Sequence, residues 1–395
     1  MSPRTLVVAG ACVTQFTVIG LLFSFGVLFG ALEDEFGWSR TLLASSTSVA
    51  FLTMGLLAAV MGRLSDRFGP RPVLAVAGTM FAAGYAGISL VSEPWHLPAL
   101  FAVFIGVGLA SHDVVTLSTV ARWFETRRGM MTGVVKTGTA AGQVALPPIA
   151  ALLVVALGWR EAVVVLGAAA AALVLLASLA MSPAPERRTA AGAPAPAPPG
   201  LALREARRGR AFWTICALQF LFFPTLITVP VHLVVHGRDL GLDAAAAATL
   251  LSVSGGASVA GRLLVGGMID RIGGRLAYML CFVPLIAALS AFAVIRTPEP
   301  LFLAVAVYGF AHGGFFTVVS PTIAEYFGLG SLGAIFGAVL FFGTIGAAIG
   351  PVAAGWTFDV TGAYTLAFLA LAAAAAVGLA LAASLPAPRA LTAPA

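Results

Sequence analysis

The stretch GRLSDRFGPR, residues 62–71, is a charged segment of ten residues between two long apolar segments. A related stretch, GGMIDRIGGR, begins 204 residues later at residues 266–275 and again separates two apolar segments. The copies share Gly, Asp, Arg, Gly and Arg at matching positions. An offset of about half the chain predicts two related halves, each with a charged hinge between its second and third hydrophobic spans.

The composition predicts a membrane protein. Of 395 residues, 60% are hydrophobic and only 10% are charged, too few charges to cover a soluble protein of this size. The first apolar stretch is longer than the core of a signal peptide, so we interpret it as a retained transmembrane helix. Stretches long enough to cross the hydrocarbon core of a bilayer occur at 5–31, 42–61, 73–92, 97–121, 129–157, 161–181, 211–236, 244–268, 275–295, 299–324, 331–357 and 362–385.

The predicted fold class is therefore an all-α membrane protein with twelve transmembrane helices in two pseudo-symmetric six-helix bundles. The bundles are expected at 1–181 and at 211–395, the latter with a short tail. The intervening segment 182–210, rich in Pro, Ala and Arg, is expected to be a semi-extended cytoplasmic linker. Its last part could instead lie as a short basic helix on the anionic inner leaflet.

Basic residues indicate the orientation. With both termini on one side, 16 of the 22 Lys and Arg residues lie on that side, which the positive-inside rule assigns to the cytoplasm. The basic side chains thus follow membrane topology and do not predict nucleic-acid binding. The compact, Ala- and Gly-rich chain suggests a bacterial inner membrane.

The repeated motif resembles the signature loop of the major facilitator superfamily of secondary transporters. Further motifs, including ARWF at 121–124, LPP at 146–148 and GRLL at 261–264, resemble the monocarboxylate and oxalate/formate porter branch. The superfamily resemblance implies transport by alternating access, with motif residues forming a latch on the cytoplasmic face; a plain turn is the other interpretation. The candidate latch residues are Gly62, Asp66, Arg67, Gly69, Arg71, Gly266, Asp270, Arg271, Gly273 and Arg275.

Five ionisable residues fall at membrane depth: His112, Asp113, Lys136, Arg262 and His312. Each is a candidate functional group, because such residues are costly in a bilayer and rarely occur without a role. Asp113 and Lys136 are both expected near the midplane on consecutive helices, where they could pair. The pair could serve transport or merely neutralise itself.

Arg262 is the main candidate for substrate binding. Ser254, Ser258 and Arg262 form one polar stripe, and a guanidinium offers a planar fork suited to a carboxylate. In the porter branch that the chain resembles, an arginine at this place binds the substrate carboxylate; a structural role against helix ends is the alternative. The branch often has an aspartate where Ser258 lies, and its oxalate exchangers have a lysine in the eleventh span, which has no charge here.

The remaining candidates accompany Arg262. Substrate contacts are predicted for His312, Tyr308, Lys136, Gln143 and Ser258, and proton coupling for Asp113, His312 or His112. A histidine satisfied by a tyrosine or a backbone carbonyl is the other interpretation of His312. His232 and His236 have metal-ligand spacing without a third ligand nearby, so no metal and no cofactor are predicted.

The chain lacks a phosphate-binding loop and the common hydrolase motifs, so we expect neither an ATP-driven pump nor an enzyme. The predicted function is secondary transport of a small organic anion, in particular a monocarboxylate, with protons as the coupled ion and a monomer as the working unit. One alternative is a multidrug exporter in which Asp113 recognises cations. A membrane sensor that binds its ligand without transporting it is the other.

Overall fold

The computed structural model describes residues 2–38, 40–124, 126–185, 200–242 and 244–387. Regular structure in these ranges is helical, apart from one isolated β-bridge between Gly200 and Gly328. The helices are α1 (Pro3–Phe36), α2 (Arg40–Phe68), α3 (Pro70–Gly87), α4 (His96–Leu100), α5 (Gly106–Trp123), α6 (Arg128–Leu157), α7 (Trp159–Ala180), α8 (Leu203–Ala206), α9 (Arg210–Asp239), α10 (Ala244–Val294), α11 (Glu299–Phe327), α12 (Leu332–Thr361) and α13 (Thr365–Ala383).

Eleven helical segments of the described chain are long and apolar enough to span a membrane. One of them, Thr249–Val294 in α10, has 46 residues, about twice the length that one crossing needs. The backbone of α10 is non-helical at Gly273, with φ 76° and ψ 166°, so α10 consists of two spans. The α4 and α5 helices join through a π-helical turn at Phe101–Ile105 into a single span. The predicted all-α membrane fold with twelve spans is thus confirmed.

The two copies of the charged motif have the same backbone geometry. Gly69, between α2 and α3, has φ 84° and ψ 166°, close to the values at Gly273. Only glycine adopts this region readily, which explains a glycine at both places. The preceding part of each motif is helical, because α2 continues to Phe68 and the backbone of α10 is non-helical at Gly273, so the turn is confined to the glycine.

Helices pack against each other both within each half of the chain and across the boundary between the halves. Within the first half α1 packs on α6 and α7, and α3 packs on α7; within the second half α10 packs on α11 and α13, and α12 packs on α9. Across the halves α2 packs on α12, and α6 packs on α10. The predicted bundle limits stay predictions. Residues 186–199 of the predicted linker lie outside the described ranges, and its last residues include the short helix α8.

Glycines allow the close approach at both crossings between the halves. A Cβ on Gly62 of α2 would overlap the backbone of Gly333 in α12, and a Cβ on Gly129 of α6 would overlap the carbonyl of Gly266 in α10. The two contacts correspond under the 204-residue offset, with the partners exchanged between the halves. We call the end of the molecule where they lie, beside Asp66 and Asp270, the motif face.

The tight contacts between the halves are concentrated at the motif face. Towards the other end of the same helices, a Cβ on Gly255 or Gly256 of α10, or on Gly355 of α12, would meet nothing within 4 Å. The halves therefore touch backbone to backbone at one end of the molecule, and these three positions at the other end are open.

Candidate functional site

Asp66 joins the halves at the motif face. Its Oδ1 accepts a hydrogen bond from Nη2 of Arg122 over 2.5 Å, and its Oδ2 accepts a longer one from the N–H of Ala334 over 3.4 Å. Ala334 is in the first turn of α12, where backbone N–H groups have no partner within the helix and carry partial positive charge. Asp66 thus contacts both a cation of its own half and a helix terminus of the other half.

Asp270 makes the corresponding contact from the second half. Its two carboxylate oxygens accept from the N–H groups of Gly129 and Met130 over 2.8 and 3.1 Å. Both donors lie in the first turn of α6, which belongs to the first half. Each half therefore supplies one aspartate that caps a helix of the other half.

The other charged residues predicted for the latch lie elsewhere. Nη2 of Arg71 donates to the carbonyl of Leu179 over 2.8 Å within the first half, and the guanidinium of Arg67 lies 5.1 Å from the ring centroid of Phe68. Neither Arg67 nor Arg271 forms an ion pair with the motif aspartates in the described part of the chain. The cation that pairs with Asp66 is Arg122, which sequence reasoning noted only as part of the ARWF motif.

A buried polar cluster lies among α1, α5 and α6. Nζ of Lys136 donates to Oδ1 of Asp113 over 2.5 Å, and Nε2 of Gln15 donates to the same oxygen over 2.7 Å. The hydroxyl of Thr139 donates to the amide oxygen of Gln15 over 2.8 Å, and Nε2 of His112 lies 3.6 Å from Asp113. Asp113 and Lys136 are therefore paired as the sequence suggested. Gln15 was not foreseen, because it lies 98 residues from Asp113.

The second half contributes buried polar groups that lack hydrogen-bond partners among the described residues. Arg262 of α10 is 1% exposed, and its Nε and Nη1 form no hydrogen bond in the part of the chain that the structure describes. The same holds for the buried hydroxyl of Ser258 and for both ring nitrogens of His312. Such groups are rare in folded proteins, since each carries the cost of lost hydration. Their concentration here indicates a place that a polar ligand can satisfy.

Phe316 of α11 lies between the two clusters. Its ring centroid is 5.0 Å from Nζ of Lys136 and 5.7 Å from Cζ of Arg262, within the range of cation–π attraction. The same ring meets His312 edge to face at 5.1 Å. Phe316 was not predicted, although its position four residues after His312 puts both on one helix face and could have indicated it.

The charges around Phe316, a place that we call the junction, do not balance. Lys136 and Arg262 lie 5.0 and 5.7 Å from the Phe316 ring centroid, and of these two cations only Lys136 forms an ion pair with Asp113 among the described residues. With both cations protonated and the carboxylate ionised, one positive charge is left at the boundary between the halves.

Other predicted substrate contacts differ in their surroundings. The hydroxyl of Tyr308 donates to the carbonyl of Thr225 over 2.9 Å, so this donor is engaged, while the ring stacks against His312 at 5.4 Å. Nδ1 of His112 lies 2.5 Å from the carbonyl of Leu109. Gln143 is half-buried and forms no side-chain hydrogen bond in the described part of the chain. The roles of all these residues stay predictions.

No group of three or more His, Cys, Asp or Glu side chains that could hold a metal occurs among the described residues. At His232, Nδ1 lies 3.1 Å from the hydroxyl of Tyr364. This places the histidine in a pair with an aromatic residue of the α12–α13 turn.

The fold and the junction describe a multi-pass membrane protein built from two related helical halves around a buried charge. Residues 11–300 and 225–394 match the family described as Major Facilitator Superfamily. The chain belongs to this superfamily.

Relatives support the narrower resemblance as well. The chain is 29% identical to monocarboxylate transporter 13 of Bos taurus over 377 residues, which cover 92% of this chain and 85% of that protein. It is 28% identical to monocarboxylate transporter 11 of Homo sapiens over 367 residues, which cover 89% and 76%. The resemblance to the monocarboxylate branch is thus confirmed, and these relatives are transporters, not enzymes.

Among solved structures, the fold is similar to that of the proton:xylose symporter XylE bound to 6-bromo-6-deoxy-D-glucose. The TM-score is 0.78 with 13% sequence identity, over 98% of this chain and 97% of that one. At this identity the likeness establishes the fold alone.

Proposed function

We propose that the protein is a secondary transporter that moves a small organic anion, in particular a monocarboxylate, by alternating access. The observation that carries the proposal is the buried guanidinium of Arg262, two nitrogens of which have no hydrogen-bond partner among the described residues. The names of the monocarboxylate transporters to which the chain is similar agree with an anionic substrate.

A carboxylate fits the chemistry of this junction. The guanidinium fork can donate two parallel hydrogen bonds to one carboxylate, and burial strengthens such a charge-assisted pair. The hydroxyl of Ser258 on α10 and the ring nitrogens of His312 on α11 are further groups without a hydrogen bond in the described ranges. A monocarboxylate supplies one negative charge, which would balance the one excess positive charge.

Lys136 has a different role in this proposal from that of Arg262. Its charge is already paired with Asp113, so it would hold the cluster together and bind substrate only when that pair opens. Protonation of Asp113 would release Lys136, which makes Asp113 the first candidate for proton coupling. His112 and His312 are the other candidates, His112 because it lies beside Asp113.

Alternating access would separate the halves at the motif face. The backbone contacts of Gly62 with Gly333 and of Gly129 with Gly266 would open, and both aspartate caps would break. In this proposal the bundles 1–181 and 211–395 rock as units joined by the linker 182–210. In this proposal the motif face is cytoplasmic, which agrees with the distribution of basic residues. The membrane would be a bacterial inner membrane, and the working unit a monomer.

A cation exporter built around Asp113 has less support. The Asp113 carboxylate is already paired with the cation of Lys136, so its negative charge is compensated without a cationic ligand. A sensor without transport has no observation in its favour.

The test is uptake of radiolabelled monocarboxylates into proteoliposomes under an imposed proton gradient. The wild type would be compared with Arg262→Ala, with Arg262→Lys, and with Arg238→Ala as a control at an exposed arginine. Saturable uptake that Arg262→Ala and Arg262→Lys both abolish, and that Arg238→Ala keeps, supports the proposal, since lysine keeps the charge and loses the fork. Uptake that survives Arg262→Ala would refute it.

A further inference from the structure

A groove on the membrane-facing side of the α2–α12 crossing has no assigned role. Its volume is about 410 Å³, within the range of small-molecule sites, and its walls come from both halves. Leu56 and Ala59 of α2 form one wall, and Trp213 of α9 and Phe342 of α12 form the other. Arg207, which lies in the chain between α8 and α9, also lines the groove.

Arg207 gives this otherwise apolar groove a basic end. Its side chain is exposed and forms no ion pair within the ranges that the structure describes. Arg204, Arg208 and Arg210 are exposed close by, whereas the carboxylate of Glu205 is engaged with the N–H of Ala202 over 2.9 Å. The groove therefore combines apolar walls with one arginine, in a segment 204–210 whose four arginines outnumber its one glutamate.

The depth of the groove matches that of a lipid headgroup and its chain. The apolar segment of α9 that is long enough to span a membrane begins at Arg210, and Arg207 precedes it by three residues, where a headgroup is expected. Trp213, which is 51% exposed, donates from Nε1 to the carbonyl of Arg207 over 2.8 Å, and tryptophan is typical of the membrane interface. The walls at Leu56 and Phe342 continue from there into the apolar part of α2 and α12.

We propose that this groove binds an anionic phospholipid, with the phosphate at Arg207 and one acyl chain along Leu56 and Phe342. Charge complementarity selects the headgroup, because a basic side chain close to a membrane surface attracts anionic lipid. The groove flanks the site where Gly337 of α12 meets the backbone of Ala58 and Ala59. A lipid seated there contacts both halves, and it fits this groove only while the crossing is closed.

The test is native mass spectrometry of the full-length protein released from nanodiscs that contain equal amounts of phosphatidylglycerol and phosphatidylcholine. The fraction of protein that keeps each lipid is measured for the wild type, Arg207→Gln, Ala59→Phe and Arg63→Gln. Arg207→Gln removes the charge, and Ala59→Phe fills the groove. Arg63→Gln is the matched control, because Arg63 is an exposed cation of α2 that does not line the groove.

The wild type is expected to keep phosphatidylglycerol in preference to phosphatidylcholine. Arg207→Gln should lower the retained phosphatidylglycerol about fivefold, the ratio expected for one basic side chain at an anionic surface. Ala59→Phe should lower retention of both lipids, and Arg63→Gln should change neither. Equal retention by Arg207→Gln and Arg63→Gln, or no preference between the lipids, would overturn the proposal. Since Arg207 is exposed, its variant is expected to fold, so the comparison stands even if Ala59→Phe does not.

Discussion

Arg262 and Ala58 occupy equivalent places in the two halves, 204 residues apart, and each lies against a glycine of the opposite half. A Cβ on Gly133 would meet the carbonyl of Arg262, and a Cβ on Gly337 would meet the backbone of Ala58. The crossing therefore accepts alanine at this position in one half and arginine in the other. The charge of Arg262 is an addition to the repeated scaffold and not a requirement of it.

From this equivalence we predict that Arg262→Ala folds and keeps its thermal stability, while the apparent affinity for a monocarboxylate falls at least about 30-fold. The loss corresponds to about 2 kcal/mol, the lower range for a buried charge pair deprived of one partner. Stability should hold because the substitution removes a buried cation whose Nε and Nη1 form no hydrogen bond among the described residues. Thermal unfolding in detergent and uptake in proteoliposomes measure the two effects. A variant that unfolds would show that Arg262 is structural.

Lys136 and Asp113 should behave as a coupled pair. Lys136→Met alone is expected to lower the free energy of unfolding by about 3–5 kcal/mol, because it leaves the Asp113 carboxylate buried without its cation. Adding Asp113→Asn should recover most of the loss, since both charges are then absent. A double-mutant cycle on thermal or denaturant unfolding measures the coupling. Additive effects would contradict the pairing.

The glycines of the motif face should tolerate even alanine poorly. Gly62→Ala places a methyl group against the backbone of Gly333, so the crossing must move apart, and we expect lower stability of the closed motif face. Gly255→Ala is the control, because nothing lies within 4 Å of its added Cβ and alanine is the better helix former.

Spin labels on α2 and α12 near the motif face can report this change as distance distributions. The Gly62→Ala distribution should shift towards longer distances, and that of Gly255→Ala should match the wild type. Identical distributions in both variants would show that the contact does not hold the face closed.

Substitutions of two aromatic residues of α11 should have different effects, one on stability and the other on the apparent affinity for substrate. Tyr308→Phe removes a hydroxyl bound to the Thr225 carbonyl, so we expect about 1 kcal/mol lower stability and an unchanged KM. Phe316→Leu keeps an apolar side chain but loses the ring between Lys136 and Arg262, so we expect a KM raised a few-fold with stability largely kept. Initial uptake rates over a range of substrate concentrations distinguish these cases. A raised KM in Tyr308→Phe would show instead that Tyr308 contacts the substrate, as the sequence analysis predicted.

Much of the fold could be predicted from local pattern. Length, hydropathy and the repeat gave the twelve spans, since each span is an independent run of apolar residues. The glycine turns at Gly69 and Gly273 followed from the motif. The number of residues from each helix end also predicted that Asp113 and Lys136 lie at the same depth in the membrane, because the rise per residue of a helix is constant.

Contacts that depend on helix rotation could not be read in this way. Gln15 reaches Asp113 across 98 residues, and Arg122 reaches Asp66 across 56. Both depend on which face each helix turns towards its neighbours, and an all-round apolar helix leaves that face undetermined in the sequence. The role of Phe316 could not be predicted for a related reason. An aromatic residue in an apolar helix is typical of a packed core, and the sequence does not show which cations lie beside it.

The exchanged glycine contacts give the boundary between the halves the character of an isologous interface, the kind found between identical subunits of a twofold dimer. Gly62 meets Gly333 and Gly266 meets Gly129, so each half presents the same pair of surfaces to the other. Two copies of an ancestral half-length chain could have met through this surface without any change at the glycines. Arg262, the counterpart of Ala58 in that symmetry, marks where a self-complementary boundary became directional and could distinguish one substrate charge from another.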